Sequence, residues 1–387
     1  MPETDTPTPA RRRRGLWLVA GIVLAVAAAA AAVNFARGKY DDPVDSTTGG
    51  GASAVTENGG RTTIPVGYRG PGNWGLILDP AAHTLYVLDT VFEGRKAKGA
   101  VVSIVDLTAN KVAGTIALPD LPRDIALDPG TRTLYAVTGE YDNPDAGAVI
   151  VVDVAARKIT ATIPTGQNAW KVAVDEKSHT AYILNCVRNC IDDPSADRPS
   201  TLSVLPSGAT TVNPPIPFGD FATDFALDTD TNRAYIVNGH ARVDVFDLAT
   251  SAVAASIPLP LPNSYASEIR FDRATRTAFT SSWRWPELTL VDVDATTSRQ
   301  LDRGGVNHEQ YCTPYDFDNH ALDGAAHTLY ISCDGKGTVT AFDTETGAVT
   351  DTVQVADASS LAVDPNNHTL YVYGNGVVTV VPRGGAK

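Results

Sequence analysis

The sequence predicts an all-β protein, a seven-bladed β-propeller of four-stranded antiparallel blades, preceded by one N-terminal helix. One phrase occurs seven times: an apolar run that ends in Asp, a four-residue turn, then Thr-Leu-Tyr or a close variant. The copies lie 41 to 53 residues apart and are built of strands only, which is typical of propeller blades. The last copy also has no outer strand, and a segment that matches an outer strand stands before the first copy. The repeated aspartates are Asp79, Asp128, Asp175, Asp228, Asp272, Asp323 and Asp364.

The second copy illustrates how one repeat forms a blade. Residues 123–128 form a short apolar strand, and a Pro-Gly turn leads into a strand rich in β-branched and aromatic residues at 133–137. Residues 149–154 are almost wholly apolar, as expected for a strand that is covered on both faces. Residues 158–163 alternate polar with apolar and predict a half-exposed outer strand. Four antiparallel strands therefore make one blade.

The innermost strands alternate large and small side chains. Large apolar residues precede the repeat Asp by one and three positions and Ala mostly precedes it by two, as in Ile125, Ala126 and Leu127. His320 interrupts the large apolar row, and Arg270 interrupts the Ala row. Alternate strand residues face opposite sides of a sheet, so each blade offers a bulky face to one neighbour and a small face to the other. This pattern predicts blades that pack closely around an axis.

The two ends of the repeat region predict how the ring closes. The seventh copy ends with the apolar run 377–381 and has no outer strand after it. Residues 63–67, which precede the first copy, match residues 162–166 in the outer strand of the second. We expect the N-terminal strand to complete the last blade, which would leave no open sheet edge where the ring shuts.

These repeats resemble a known family. The segments Leu-Asp-Pro followed by Thr-Leu-Tyr-Val, and Val-Val-Asp followed by Thr-Ile-Pro, resemble the YVTN-type (YncE-like) seven-bladed propeller repeats over residues 61 to 382. The sequence departs from the family phrase because its Tyr is followed by Val-Leu, Ile-Leu or Ile-Ser and not by Val-Thr-Asn. The resemblance implies an extracytoplasmic propeller. It implies little about activity, since one fold hosts many functions.

The N-terminus predicts a membrane anchor. Residues 1–14 form a basic cytoplasmic segment that ends in four arginines, and residues 15–36 form a transmembrane signal anchor or a signal peptide. The uncharged run 15–33 would span about 28 Å as a helix, close to the thickness of a hydrocarbon core. Residues 37–60 predict a flexible linker, and 61–387 the propeller.

The arginines place the propeller outside the cytoplasm in a single-pass cell-membrane protein. The alternative is secretion after cleavage, because the Ala run at 30–32 suits a signal peptidase.

The four cysteines fit an oxidising compartment. Cys186 and Cys190 share one loop, and Cys312 and Cys333 lie in copy six at the same end of its sheet. We expect these two pairs as structural disulfides, although three pairings are possible. A metal site or a redox pair is the alternative, but no His stands at metal-ligand spacing beside Cys186 and Cys190.

Charge and motifs exclude several function classes. The net charge is −13 and the largest cluster of basic residues flanks the predicted anchor, so a nucleic-acid partner is not expected. The sequence has no Gly-x-Ser-x-Gly elbow, no His-Glu-x-x-His and no phosphate loop. No cofactor is predicted beyond a possible Ca²⁺ or Mg²⁺.

One face of the propeller carries the candidate site, which we call the funnel. Long second-to-third-strand loops are expected at residues 89–100, 139–147 and 185–200, together with a long entry loop at 302–317 in copy six. Charged residues precede four of the repeat aspartates by four positions at the same end, where they should rim the central channel. The funnel residues are Trp74, Asp124, Trp170, Lys171, Asp224, Glu268, Arg270, Trp283, Arg284, Trp285, His308, Glu309 and His320.

Simpler readings of these residues remain open. The charged residues could pair with one another at a polar channel mouth, and the tryptophans could cap the core. The repeat aspartates are expected to form turns by accepting backbone N–H bonds. His83, His179, His327 and His368 share one position in that turn and are expected to be exposed turn residues on the opposite face.

Two functions fit this pattern. The first is a membrane-tethered extracytoplasmic scaffold that binds a protein or a cell-envelope component through its long-loop face. The alternative is a lactonase-like hydrolase or lyase that uses a divalent metal held by Asp124, Asp224 and Glu268. Convergence of those carboxylates would favour the enzyme, whereas Lys171 and Arg270 between them would argue against it.

Overall fold

The computed structural model describes much of the predicted propeller region. The described residues are 54–56, 60–67, 75–93, 96–140, 143, 145–186, 199–217, 221–238, 241–260, 266–282, 288–301, 319–333 and 337–383. All of them belong to one unit, residues 45–387. The predicted cytoplasmic segment and anchor, residues 1–36, lie outside the described residues. Within the described ranges, no helix has the length and hydropathy that a membrane span requires.

The described chain consists of strands, numbered here in chain order. Two short strands come first, Val55–Thr56 (β1) and Thr62–Pro65 (β2). Blade 1 contains Gly75–Asp79 (β3), Thr84–Glu93 (β4), Lys96–Asp106 (β5) and Lys111–Leu118 (β6). Blade 2 contains Pro122–Asp128 (β7), Thr133–Thr138 (β8), Ala148–Asp153 (β9) and Lys158–Pro164 (β10). Blade 3 contains Asn168–Asp175 (β11), Thr180–Cys186 (β12), Thr201–Leu205 (β13) and Ile216–Pro217 (β14).

The remaining strands form blades 4 to 7. Blade 4 contains Ala222–Asp228 (β15), Arg233–Asn238 (β16), Arg242–Asp247 (β17) and Ala252–Pro258 (β18). Blade 5 contains Ala266–Asp272 (β19), Thr277–Ser282 (β20), Thr289–Asp292 (β21) and Thr297–Gln300 (β22). Blade 6 contains His320–Asp323 (β23), Thr328–Cys333 (β24), Thr338–Asp343 (β25) and Val349–Gln354 (β26). Blade 7 contains Ser360–Val363 (β27), Leu370–Gly374 (β28) and Val377–Val381 (β29).

The predicted fold of seven antiparallel blades is confirmed. Six sheets hold four consecutive strands each, and the seventh has the order β1-β2-β29-β28-β27. In that sheet Ile64 of β2 stands opposite Val378 of β29. The segment predicted as a linker contributes β1, which pairs outside β2. That the N-terminal strand closes the ring stays a prediction, which can be tested through Ile64.

The hydrophobic core lies between neighbouring blades, as the alternating inner strands predict. Ile125 and Leu127 pack into the cluster shared by blades 1 and 2, whereas Ala126 packs into the cluster shared by blades 2 and 3. Each inner strand contacts the next, from β3 through β7, β11, β15, β19 and β23 to β27, and β27 contacts β3. The bulky and small faces of successive blades therefore meet around one axis.

The repeat aspartates form turns, which confirms their predicted role. The Oδ1 atom of Asp128 accepts the backbone N–H of Gly130 at 3.0 Å, and Asp272 accepts that of Ala274 at 2.9 Å. The residue four positions after each repeat Asp has a positive φ, for example 57° at Arg132. We call the side of the propeller that carries these turns the turn face, and the opposite side the funnel face.

The funnel face differs from the prediction in blade 1. Residues 89–93 and 96–100, which were expected in an open loop, continue β4 and β5, and their pairing runs from Thr90 opposite Ala100 to Glu93 opposite Lys96. These strands have 10 and 11 residues, against 6 in each of the corresponding strands of blade 2. Thr90, Val91 and Phe92 have high strand propensity, which favours continuation of the ladder where a loop was expected.

Candidate functional site

In four consecutive blades, a β-bulge in the inner strand comes directly before a charged residue of the predicted funnel. The inner strands of blades 2 to 5 each contain a register shift immediately before the charged residue, between Pro122 and Asp124 in blade 2 and at equivalent places in the others. The described inner-strand pairings of blades 1, 6 and 7 contain none. A β-bulge re-aims the side chain that follows it. The four residues it places are Asp124, Lys171, Asp224 and Glu268.

Asp224 is the most constrained of these residues. Its Oδ1 accepts the backbone N–H of Phe225 at 2.9 Å. Its Oδ2 accepts the N–H of Ile269 at 3.0 Å and a guanidinium N–H of Arg270 at 3.3 Å. The residue is 4 % exposed. Because Ile269 and Arg270 belong to blade 5, the carboxylate of Asp224 bonds blade 4 to its neighbour.

Glu268 joins blade 5 to blade 6. His320 Nδ1 lies 2.6 Å from Glu268 Oε2, and Arg270 Nη2 lies 3.4 Å from the same oxygen. Burial would raise the pKa of Glu268, but Arg270, His320 and Lys171 together hold it at about 2. Glu268 is therefore ionised at neutral pH, and the Nδ1 of His320 carries the proton that it donates.

Asp124 and Lys171 complete the charged group. Asp124 Oδ2 accepts the backbone N–H of Val172 in blade 3 at 2.9 Å. Burial raises the pKa of Asp124, although Lys171 and the Val172 bond oppose it. Burial alone would lower the pKa of Lys171, yet attraction to Asp224, Asp124 and Glu268 raises it. Lys171 is therefore protonated at neutral pH and is attracted by the negative charge of the three carboxylates.

The arrangement can be described as one ion network, which we call the funnel cluster. Two cations, Lys171 and Arg270, balance three carboxylates that also accept backbone or imidazole N–H bonds. Among the described residues, no group of three or more His, Cys, Asp and Glu side chains is placed to hold a metal ion. The Ca²⁺ or Mg²⁺ site on Asp124, Asp224 and Glu268 stays a prediction; Arg270 lies within 3.4 Å of both Asp224 and Glu268. The funnel cluster comprises Asp124, Lys171, Asp224, Glu268, Arg270 and His320.

A second row of side chains lies beside the funnel cluster and includes one that sequence reasoning missed. The guanidinium carbon of Arg123 lies 4.9 Å from the ring centroid of Trp170, and Trp170 Nε1 donates to the Thr223 carbonyl at 3.0 Å. Arg123, Trp170 and Thr223 are the residues that the bulges of blades 2, 3 and 4 leave without a cross-strand partner. Arg123 occupies the sequence position of Trp170 one blade earlier, which could have identified it.

Several predicted funnel residues lie outside the described part of the chain. Trp170 does pack against the core between blades 3 and 4, as the capping interpretation requires. Cys186 ends β12, but Cys190 and Cys312 lie outside the described residues, so the two disulfides stay a prediction. The funnel residues outside the described ranges are Trp74, Trp283, Arg284, Trp285, His308 and Glu309.

The turn face contains a second set of contacts between blades. His179 Nδ1 lies 2.9 Å from Asp128 Oδ2, and His368 Nδ1 lies 2.8 Å from Asp323 Oδ2. Each His follows its own repeat Asp by four positions and reaches the repeat Asp of the preceding blade. His179 and His368 are turn residues with 38 % and 30 % of their side chains exposed, and in addition each bonds a carboxylate that is fully buried.

Comparisons with known proteins support the fold and leave the function open. No family model and no curated protein matches this sequence. The Kuenenia stuttgartiensis hydrazine synthase structure is 17 % identical with a TM-score of 0.62, covering 81 % of this chain and 96 % of that one. The propeller domain of Myceliophteria thermophila Cps50 (Swd1) is 10 % identical with a TM-score of 0.61, covering 82 % and 98 %. Such identities show a shared fold alone, and the YVTN-type resemblance stays a prediction.

Proposed function

We propose that the protein is a membrane-tethered extracytoplasmic propeller that acts as an interaction scaffold. Its partner would be an extracytoplasmic protein or a cell-envelope component that binds the funnel face. The observation that carries the proposal is the funnel cluster, in which every carboxylate is engaged by the cations and N–H groups of the propeller itself. The scaffold role is also consistent with the propeller fold.

The funnel cluster suits a structural role better than a catalytic one. A general acid or base works best with a pKa near the operating pH, whereas the pKa of Glu268 is about 2. Asp224 already accepts three hydrogen bonds. Asp124 and Asp224 both accept backbone N–H groups of the following blade, so these side chains hold blades together.

The rigid funnel face supports binding. The paired extension of β4 and β5 gives blade 1 a hairpin that the corresponding strands of blade 2 lack, and its Lys96 and Lys98 are exposed. A preformed, hydrogen-bonded hairpin loses little conformational entropy when it binds, which favours recognition. Such features on a rigid scaffold are where binding surfaces usually lie.

Site-specific photo-crosslinking would test the binding face. A photo-reactive amino acid would replace Lys98 on the blade 1 hairpin in one variant and Ala249 in another. Ala249 is an exposed residue of a turn on the opposite face. In intact cells, we expect a discrete crosslinked adduct from position 98 and none from position 249. Equal adducts from both positions, or none from either, would count against a funnel-face partner.

Two further measurements test the tether and the enzyme alternative. Retention of the full chain in the membrane after carbonate extraction is expected for the anchor, whereas release would indicate a secreted protein. In thermal unfolding, Ca²⁺ or Mg²⁺ should leave the midpoint unchanged. A rise that is lost in Glu268→Gln would instead favour the metal-dependent hydrolase or lyase, because a ligand of the native state raises the midpoint.

A further inference from the structure

The turn face has a cavity at the junction of blades 1 and 2. It has a volume of about 150 Å³, and Asp79 and Tyr86 of blade 1 face Arg132 and Arg157 of blade 2 across it. Within the part of the chain that the structure describes, neither guanidinium forms a hydrogen bond or an ion pair. Arg132 and Arg157 therefore line the cavity, and neither is bonded to a carboxylate of a described residue.

The junction of blades 4 and 5 provides an internal comparison. Asp228, Tyr235 and Arg276 stand at the repeat positions of Asp79, Tyr86 and Arg132. The backbone agrees, because Val154 N donates to the Arg132 carbonyl at 3.1 Å and Val293 N donates to that of Arg276 at 3.3 Å.

At the blade 4–5 junction the arginine is fully paired. Arg276 bonds the Asp228 carboxylate, donates to the Tyr235 hydroxyl at 3.1 Å, and pairs with Asp294 at 3.1 Å. Its second carboxylate, Asp294, comes from the turn between the third and fourth strands of the same blade.

Two substitutions between the repeats change the charge of the site. The position of Asp294 is occupied in blade 2 by Ala155, and the position of Thr296 is occupied by Arg157. The blade 1–2 junction therefore has one surplus positive charge on Asp79, Arg132 and Arg157. The blade 4–5 junction has one surplus negative charge on Asp228, Asp294 and Arg276.

The exposed side chain of Arg157 lies close to blade 1. A Cβ atom added to Gly114 of β6 would lie 2.2 Å from Arg157 Nη1 and 2.4 Å from its Cζ. A larger residue at 114 would therefore displace the Arg157 guanidinium from this position. Arg157 itself has a φ of 55°, a region that L-residues adopt rarely.

We propose that this cavity binds a small oxyanion, a carboxylate or a phosphate, in the place that the Asp294 carboxylate takes at the blade 4–5 junction. Guanidinium groups bind both anions through paired N–H donors. The Oδ1 atom of Asp79 accepts the N–H of Ala82 at 3.0 Å, so that oxygen is engaged by its own turn. The single surplus positive charge of the site matches the charge of a monoanion. Because Ala155 has no side-chain atoms beyond Cβ, the anion can occupy the space that the Asp294 carboxylate fills in blade 5.

Calorimetric titration of the full chain with acetate and with phosphate would test this proposal. Chloride at the same ionic strength serves as the control for screening. We expect saturable binding with one anion per chain, weakened at least about tenfold, roughly 1.4 kcal/mol, in Arg157→Ala and in Ala155→Asp. Ala155→Asp should also raise the thermal midpoint without added anion, because it supplies the missing carboxylate internally. Acetate and phosphate responses distinguish a carboxylate ligand from a phosphate ligand.

The reciprocal variant keeps the test decisive. The double variant Asp294→Ala/Thr296→Arg reproduces the charges of the blade 1–2 junction beside Arg276, and we expect it to bind a second anion at the blade 4–5 junction. Absence of saturable binding to the wild-type chain, or equal binding by wild type, Arg157→Ala and Ala155→Asp, would overturn the proposal. If Arg157→Ala fails to fold, Ala155→Asp decides, because Asp already occupies the equivalent turn position in blade 5.

Discussion

His320 Nδ1 and Glu268 Oε2 lie 2.6 Å apart across the boundary between blades 5 and 6. The imidazole is nearly buried, with 4 % of its side chain exposed, and the Glu268 side chain is 18 % exposed. Arg270 approaches the same oxygen at 3.4 Å. A single carboxylate oxygen therefore holds two side chains, and its charge state should govern how the two blades stay together.

Glu268 should make the propeller sensitive to acid. Its pKa is lowered from 4.5 to about 2 in the folded protein, so it contributes stability above its unfolded pKa. That stability is lost as the pH falls from about 4.5 towards about 2. We expect Glu268→Gln to unfold about 3 kcal/mol more easily at pH 7 and to show a shallower loss on acidification. Chemical unfolding from pH 7 to pH 3 measures both, with Glu345→Gln in an exposed turn as the control.

Asp224→Ala should destabilise the propeller more than any exposed turn variant in the same blade. It removes an acceptor from the N–H groups of Phe225 and Ile269 and leaves Arg270 and Lys171 with less opposing charge. Breaking a buried charged network typically costs about 3–5 kcal/mol. Asp247→Ala, which removes a turn acceptor from a solvent-exposed hydrogen bond, should destabilise the protein much less. Equal losses in urea unfolding would contradict the structural role of Asp224.

Closure of the ring by the N-terminal strand can be tested by one pair of matched variants. Ile64 of β2 is 1 % exposed, and Ile163 in the outer strand of blade 2 is 3 % exposed. If β2 completes blade 7, Ile64→Ala and Ile163→Ala should each lower the free energy of unfolding by about 2–5 kcal/mol. A loss below about 1 kcal/mol for Ile64→Ala alone would show that the strand contributes little.

The contact of His179 with Asp128 should stabilise the folded protein, whereas His327, which occupies the same turn position, should add no such stabilisation. His179 bonds the buried Asp128, whereas His327 occupies the same turn position and its side chain forms no hydrogen bond with a described residue. Both have a positive φ, 55° and 48°, so replacement by Ala carries the same backbone cost. We expect His179→Ala to cost about 1–2 kcal/mol more than His327→Ala in urea unfolding. Equal costs would mean that the contact adds nothing beyond the turn.

Much of the fold could be predicted from the sequence, because it depends on short-range patterns. The Asp that ends each inner strand binds backbone groups two or three residues later, so its role is visible locally. The alternation of Ile125, Ala126 and Leu127 likewise sets which side of the strand meets each neighbour. The blade 1 hairpin was misjudged because a polar, Gly-containing segment resembles a loop until its two arms are paired.

The candidate site could be predicted only in part. Four charged residues each precede a repeat Asp by four positions, which predicted that they lie together at the mouth of the central channel. In the structure these residues, Asp124, Lys171, Asp224 and Glu268, belong to one charged network. The sequence could not show that bulges re-aim these side chains, nor that Arg123 stacks on Trp170. A bulge depends on how a strand pairs with its neighbour, which residue identity alone does not fix.

The sequence by itself determined the number of blades, the strands of each blade and the turns that its aspartates form. Only the tertiary structure decided which charges meet: Asp224 with Arg270, Glu268 with His320, and His179 with Asp128. It also decided that Arg132 and Arg157 face a cavity while Arg276 is paired. The physical reason is distance along the chain, since partners roughly 50 residues apart meet only when blades pack. Local patterns specify each blade, and packing between blades assigns the partners.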